Sequence, residues 1–350
     1  MLRTVRSWIL SLPRTTGVFG TIQRSRWRAE RLLVLCYHGI SLEDEHEWAP
    51  GLFLNAETFE RRLRVLRERG YHVLPLGEGL RRLYEGSLPP ASVVVTFDDG
   101  YYNFFSRAYS LLERYGVPAT VYWTTYYANK PLPVFSVACS YLLWKGRSSE
   151  LTNHRDFGIP EPVDLAIPAE RHRVHRAILA KAERDGLSAM KKQELLERLA
   201  AVLKVDFQRI CRERTFHLMT GEQAAELAAR GLDIQLHTHR HRAPLEEAEF
   251  RKEIRENREF ILRATGYASA HFCYPSGQHD RRLVPWLEAE GVASAVTCEP
   301  GLASRRDSPF LLPRYLDAMD NSETTFESWL CGVRLLLSAA ALRRSHWLRK

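Results

Sequence analysis

The chain lacks any run approaching the ~20 consecutive apolar residues that a membrane-crossing helix needs, so no such helix is expected within its 350 residues. It also lacks a cysteine framework. Cys36, Cys139, Cys211, Cys273, Cys298 and Cys331 are scattered, without a C-x-x-C pair or the density of a disulfide-stapled secreted domain. Free, buried thiols in a reducing compartment are the expectation. A convincing signal peptide is missing too, because the apolar stretch after Arg6 is short and runs into Pro13-Arg14. That absence predicts a protein made and kept in the cytoplasm. No internal repeat and no low-complexity tract is present.

The body lacks a basic excess. Residues 1–31 hold seven Arg against one Glu, giving +6, and residues 326–350 hold four Arg and one Lys against one Glu, giving +4. Taken from the net +8 of the whole chain, these leave −2 on residues 32–325. A basic nucleic-acid groove across the body is therefore disfavoured, and no nucleic-acid partner is expected. Hydrophobic content of 45% with 26% charged residues is that of a globular protein. The length fits one domain of about 200–250 residues plus additions.

What the chain does contain is organised around Val93-Val94-Val95-Thr96-Phe97-Asp98-Asp99-Gly100. A β-branched and aromatic run predicts a buried strand, and Asp-Asp-Gly predicts its exit loop. In parallel α/β architectures chemistry sits at the carboxyl ends of strands. Adjacent residues leaving a strand diverge, so one carboxylate can ligate a metal while the other takes a proton from water. A second strand-and-polar-burst follows at Ile234-Gln235-Leu236-His237-Thr238-His239-Arg240-His241. The spacing of His237 and His241 lets both imidazoles reach one ion from a compact loop or helical turn. With one aspartate they form a two-His, one-carboxylate set with open positions for water and substrate.

These two motifs, Thr-Phe-Asp-Asp-Gly and His-Thr-x-x-His, resemble those of the polysaccharide deacetylases, the NodB-homology carbohydrate esterases. The resemblance covers residues 32–148 and 215–317. It implies an α/β fold, a distorted, incomplete (β/α) barrel. It implies that Asp99, His237 and His241 bind one divalent metal ion, commonly zinc in this family, and that Asp98 is the general base. The third motif resembles Cys273-Tyr274-Pro275-Ser276-Gly277, which implies an oxyanion contact from the Ser276 N–H and a substrate contact from Tyr274. Many relatives carry an arginine in the slot of Cys273, paired with the base; here Arg314 is either a compensating charge or a structural ion-pair residue. Tyr37-His38 at the end of the first strand is also familiar from the family, so His38 is either a substrate contact at the rim or a hydrogen-bonded structural histidine. No late histidine matches the family's general acid, which leaves His38, His279 or a second water. His239 is expected to point away from the ion.

The implied activity is hydrolysis of an N-acetyl group from an amino sugar in a polysaccharide or glycan precursor. O-acetyl esters and other acyl amides are alternatives at the same site. A silent glycan-binding relative would lack a ligand or the base, whereas Asp98, Asp99, His237 and His241 are all present. Without an export signal the expected substrate is lipid-linked or nucleotide-linked, at the inner face of the membrane.

The alternation of strands and helices predicts the barrel over 32–318, interrupted by a charged helical insertion at about 150–212. Residues 1–31 form a basic segment with Leu2, Val5, Ile9 and Leu12 on one helical face, followed by a polar connector over 15–30. Residues 319–350 are expected to form a basic amphipathic helix along Leu330, Val333, Leu337 and Ala341. Such ends suit peripheral attachment to acidic lipid or packing on the body.

Overall fold

The computed structural model describes residues 17–151 and 154–337. Seven strands form the centre: β1 (Arg31–Tyr37), β2 (Ser92–Phe97), β3 (Thr120–Trp123), β4 (Asp233–Leu236), β5 (His271–Cys273), β6 (Ser294–Pro300) and β7 (Leu312–Leu316). All are parallel to their neighbours, in the order β1-β7-β6-β5-β4-β3-β2, and β2 returns to β1. The β1–β2 pairing runs from Leu33–Val93 to Tyr37–Phe97 and shuts the ring. The distorted (β/α) barrel read from the sequence is therefore present, as a closed ring of seven strands. Two short strands, His72–Val73 on β2 and Ala303–Ser304 on β1, extend the sheet at the start of those strands.

The strand period of two sorts the side chains into two layers. Leu33, Leu35, Tyr37, Val93, Val95 and Phe97 face outward into the main core beneath the helices. Leu32, Val34, Val94, Tyr122, Cys273, Val296 and Leu312 fill the barrel itself. Helix Leu76–Glu85 adds Leu76, Leu80 and Leu83 to this interior layer. Gly79 makes the approach feasible, since a Cβ there would lie 2.9 Å from a methyl of Val94.

Helices flank the ring with the local signals that the sequence carries. Asn55 caps Ala56–Glu68 by accepting from the Thr58 N–H, and Thr220 with Gln223 forms a full capping box on Gly221–Ala229. The insertion has its own apolar cluster. Helices Phe135–Lys145, Pro168–Arg184 and Ala189–Val202 share it through Leu142, Val174, Ile178, Leu195 and Leu199. Its packing thus begins at Phe135, earlier than the expected 150. Phe135–Lys145 buries Phe135, Ala138, Cys139, Tyr141, Leu142 and Leu143 together, so no single helical stripe marks it.

The ends depart from expectation. Residues 18–29 are not a free connector but two short helices, Val18–Gln23 and Arg26–Ala29. The buried Arg28 guanidinium donates to the carbonyls of Leu330, Arg31 and Ser92, pinning both ends of the chain to the start of β1 and β2. The expected continuous C-terminal helix is broken: Glu323–Leu330 stops before Gly332, whose φ of 89° and contact with Trp27 leave no room for a side chain. Leu2, Val5, Ile9, Leu12 and Ala341 lie outside the described residues.

A buried ion pair joins helix Ala56–Glu68 to the loop after β7. Arg62 Nε lies 2.8 Å from Asp317 Oδ2, and both side chains are all but inaccessible to water. Removing one partner strands the other charge in the core. Arg62→Ala is expected to lower the unfolding free energy by about 3–5 kcal/mol, measured by urea denaturation. Arg62→Met with Asp317→Leu should recover most of that loss, and a single-variant effect under about 1 kcal/mol would refute a structural role for the pair.

Candidate active site

The site forms where inward-facing positions of several strands reach the carboxyl end of the ring. Asp98 continues the inward phase of Val94 and Thr96, and its N–H donates to Tyr37 O at 2.8 Å. The next two residues turn left-handed, with φ of 68° at Asp99 and 75° at Gly100. This sends the two carboxylates in different directions. Gly100 is required on two counts: its positive φ, and the indole of Trp123, which a Cβ would meet at 2.2 Å.

The histidine loop is built the same way. Thr238 and His241 have φ of 61° and 55°, and the tight turn brings the rings of His237 and His241 to 4.9 Å. Asn257 holds the loop's start, accepting from the His237 N–H and donating to Trp123 O and Thr125 Oγ1. His237 Nδ1 faces Cys273 O at 2.9 Å, so the proton belongs on Nδ1 and the lone pair on Nε2.

Asp99 Oδ1 lies 3.2 Å from His237 Nε2 and 3.1 Å from His241 Nε2. It is nonetheless a buried oxygen that receives no hydrogen bond. Three donor atoms thus point at a common centre instead of at one another. The two oxygen–nitrogen separations approach the edge of a tetrahedron with ~2.0 Å bonds, about 3.3 Å, as a zinc-like ion requires. Asp99, His237 and His241 fit a divalent ion, and the 38% exposure of the His241 side chain leaves that centre open on one side.

Asp98 has a different partner. Arg314 Nη1 and Nη2 donate to its two oxygens at 2.7 Å each, with every atom buried. Arg314 is held in turn by Thr297 O and Thr96 Oγ1. Burial alone would raise the Asp98 carboxyl, but the guanidinium outweighs it and holds the group well below the usual carboxylate range. The two readings of Arg314, compensating charge and structural ion pair, describe one interaction. Asp98, His237 and Cys273 are also close enough to share an ion. Arg314 Nη2, 3.1 Å from Cys273 Sγ, already puts a cation there. The thiols of Cys273 and Cys36 complete the surroundings of Asp98 Oδ2 at 3.4 and 3.5 Å.

His38 is half-buried and lies in the field of Asp98, Asp99 and His237; burial pulls its imidazole below its ordinary value. Ser276 sits at the rim, exposed, with φ of 56° in the turn that follows β5. His279 is exposed beside it, with Nδ1 at 3.1 Å from Gly277 O. His239 points away as expected, its Nδ1 at 2.9 Å from Thr125 Oγ1.

One expectation is corrected. Tyr274 does not offer its side chain to substrate: it is fully buried in the outer core, and its hydroxyl donates to Phe310 O at 3.1 Å. The reason is phase, since Cys273 points into the barrel and its successor must point out. Asn257 and Cys36 were not legible as site residues. Asn257 lies in a charged helix without a local signal, but Cys36 could have been found by carrying the inward phase along β1.

The sequence profile of the polysaccharide deacetylase family matches residues 85–160 and 202–294. The gap between the two segments falls on helices Pro168–Arg184 and Ala189–Val202. The Bacillus subtilis (strain 168) protein YxkH is 32% identical over 93 residues, 26% of this chain and 31% of that protein. Poly-beta-1,6-N-acetyl-D-glucosamine N-deacetylase of Escherichia coli (strain K12) is 31% identical over 97 residues, 27% of this chain and 14% of that protein. The chain thus spans a third or less of these curated relatives. Among solved structures, Streptococcus pyogenes deacetylase PplD in complex with acetate has a TM-score of 0.57 at 18% identity, covering 86% of this chain and 98% of that one. IcaB from Ammonifex degensii has a TM-score of 0.54 at 17% identity, covering 86% and 97%. At these identities the structures establish a shared fold.

The donor geometry makes a direct prediction. Wild type should take up one equivalent of zinc, and His237→Ala or Asp99→Ala should weaken uptake at least tenfold, whereas His239→Ala should leave it within about threefold. Elemental analysis after dialysis against buffered zinc reads this without any assay of activity. Equal uptake by all four proteins would place the ion elsewhere.

Proposed function

Because the chain belongs to the polysaccharide deacetylase family, we propose that it hydrolyses the N-acetyl group of an amino sugar in a polysaccharide or glycan precursor. The observation that carries this is the buried, hydrogen-bond-free Asp99 oxygen facing two imidazole nitrogens, beside a second carboxylate with its own arginine. Asp99, His237 and His241 would hold the divalent ion, zinc on this reading, which when bound supplies an acidified water and polarises the acyl oxygen.

The chain's own residues do the rest. Asp98 takes the proton from the attacking water. Arg314 acts through Asp98 as a positioning residue: it keeps the carboxylate ionised and aims it, at a cost in basicity. The Ser276 N–H donates to the oxygen that gains charge as the acyl carbon becomes tetrahedral. Asp98 then returns its proton to the leaving nitrogen, which closes the proton balance without a second acid. His38, kept neutral by burial, contacts the substrate at the rim.

We further place the protein at the inner face of the membrane, acting on a lipid-linked or nucleotide-linked saccharide. Support comes from the described residues next to the basic ends: Phe19 packs with Cys331 and Val333, so these two parts of the chain lie side by side. That place is the start of β1 and β2, opposite the site. Attachment there would present the site away from the lipid, which suits a glycan extending from the surface. Binding of the full chain to anionic but not neutral vesicles tests this, and no binding to either refutes it.

Acetate release from N-acetylated glycans by metal-loaded protein tests the activity. Asp98→Asn is expected to lower kcat by about 10²–10⁴-fold. Arg314→Lys, which keeps charge but loses the two-pronged bond, is expected to lower kcat by about 10-fold or more with KM little changed. Release confined to O-acetylated substrates would replace the amide by an ester, and activity surviving in Asp98→Asn would refute the assigned base.

A further inference from the structure

A cavity of about 900 Å³ lies apart from the metal centre. It is bounded by the loop after β3, the exit of the insertion, and helices Gly221–Ala229 and Glu247–Thr265. That volume falls in the range of small-ligand pockets, roughly 300–1,000 Å³. Lys130, Arg214 and Arg263 line it against a single acid, Glu222, with Asn129 and Phe260 between them.

Two of these cations lack an acidic partner. Arg263 is paired with Glu259 at 3.5 Å on an exposed helix face. No carboxylate among the described residues bears on Lys130 or Arg214. Lys130 lies over the ring of Tyr126 at 3.7 Å, and Arg214 over the ring of Tyr102 at 4.0 Å. The hydrogen bond that Arg214 makes is from Nη2 to Leu218 O, which leaves most of its guanidinium donors unused.

The backbone that presents Arg214 is strained. Arg214 and Phe216 have φ of 57° and 62°, a conformation that non-glycine residues keep only where the surroundings enforce it. The enforcement comes from the catalytic loop: Tyr102 N–H donates to His217 O at 2.8 Å, and Met219 N–H to Gly100 O at 2.9 Å. On the far wall Phe260 packs against Trp123, which in turn touches Gly100. The cavity is thus wired to the site loop without sharing its ligands.

We infer that this cavity binds a charged saccharide unit, its carboxylate or phosphate held by Lys130 and Arg214 and its ring laid on Phe260. Planar guanidinium and ammonium groups recognise both oxyanions, and an aromatic face suits the apolar side of a sugar ring. The glycan reading above supplies only the choice of ligand class.

The test needs no turnover. Glucose 1-phosphate, glucuronic acid and glucose are titrated by calorimetry into full-length wild type, Lys130→Gln/Arg214→Gln, and His237→Ala. Wild type should bind at least one charged probe at least tenfold more tightly than glucose, with affinity falling as salt is raised. The stronger of the two identifies phosphate or carboxylate as the natural charge. The double variant should lose at least tenfold toward that probe while its melting transition stays within a few degrees, and His237→Ala should match wild type. Equal binding of charged and neutral probes, or equal binding by the double variant, overturns the proposal. Loss in His237→Ala would assign the binding to the metal centre and also overturn it. A failed acetate assay would leave this result standing.

Discussion

The barrel's interior depends on one interaction, the two-pronged bond between Asp98 and Arg314. An ionised carboxylate in a closed ring of strands costs several kcal/mol in lost hydration. Here the cost is offset by two charge-assisted hydrogen bonds of 2.7 Å, and the guanidinium's other three donors go to Thr297 O, Thr96 Oγ1 and Cys273 Sγ. Arg314 on β7 therefore ties β2 and β6 together from inside, next to Cys273 on β5. Neither charge can be removed alone without leaving the other buried and unpaired.

Around this fixed pair the mouth is made of strained backbone. Asp99, Thr238, His241 and Ser276 are all non-glycine residues with φ between 55° and 68°. Each costs on the order of 1 kcal/mol against an ordinary conformation. Clustering of such residues at one end of one ring is not expected from turn chemistry alone. It persists because close-packed anchors over-determine it: buried Asn257 for the histidine loop, buried Trp123 for Gly100, and partly buried Cys298 for Gly277, where a Cβ would lie 2.7 Å away.

Much of this was legible in the sequence, and the limits have physical causes. The strands were legible because runs such as Leu32–Tyr37 and Val93–Phe97 are apolar on both faces, as strands of a parallel ring must be. The grouping of Asp99, His237 and His241 was legible through spacing and family resemblance, since side chains that converge on one centre leave a short local pattern. Tyr274 was misread because a motif names neighbours in sequence, whereas a strand sends neighbours to opposite faces. Arg314 was legible as a charge but not as the partner of Asp98, because that pairing runs across the ring between residues 216 apart. Asn257 was invisible: its task is set by where helix Glu247–Thr265 lies, not by any residue near it in the chain.

The same geometry separates two tasks that the adjacent aspartates only hint at. Asp98 belongs to the interior, locked by an arginine and two thiols, and has no freedom to follow a substrate. Asp99 and His241 belong to the mouth, where the ion centre is open on one side. Asp98, fixed in this way, cannot adapt to different substrates, which leaves selectivity to the rim. The rim elements are the Ser276 turn and the insertion, whose exit pairs with the loop after β2 through Tyr101–Leu218. An aromatic cluster of Trp48, Phe53, Tyr101, Tyr141 and Phe216 fastens that seam. A change in the insertion could therefore be made without disturbing Asp98, because insertion and site loop are joined through backbone hydrogen bonds and ring contacts, not through Asp98.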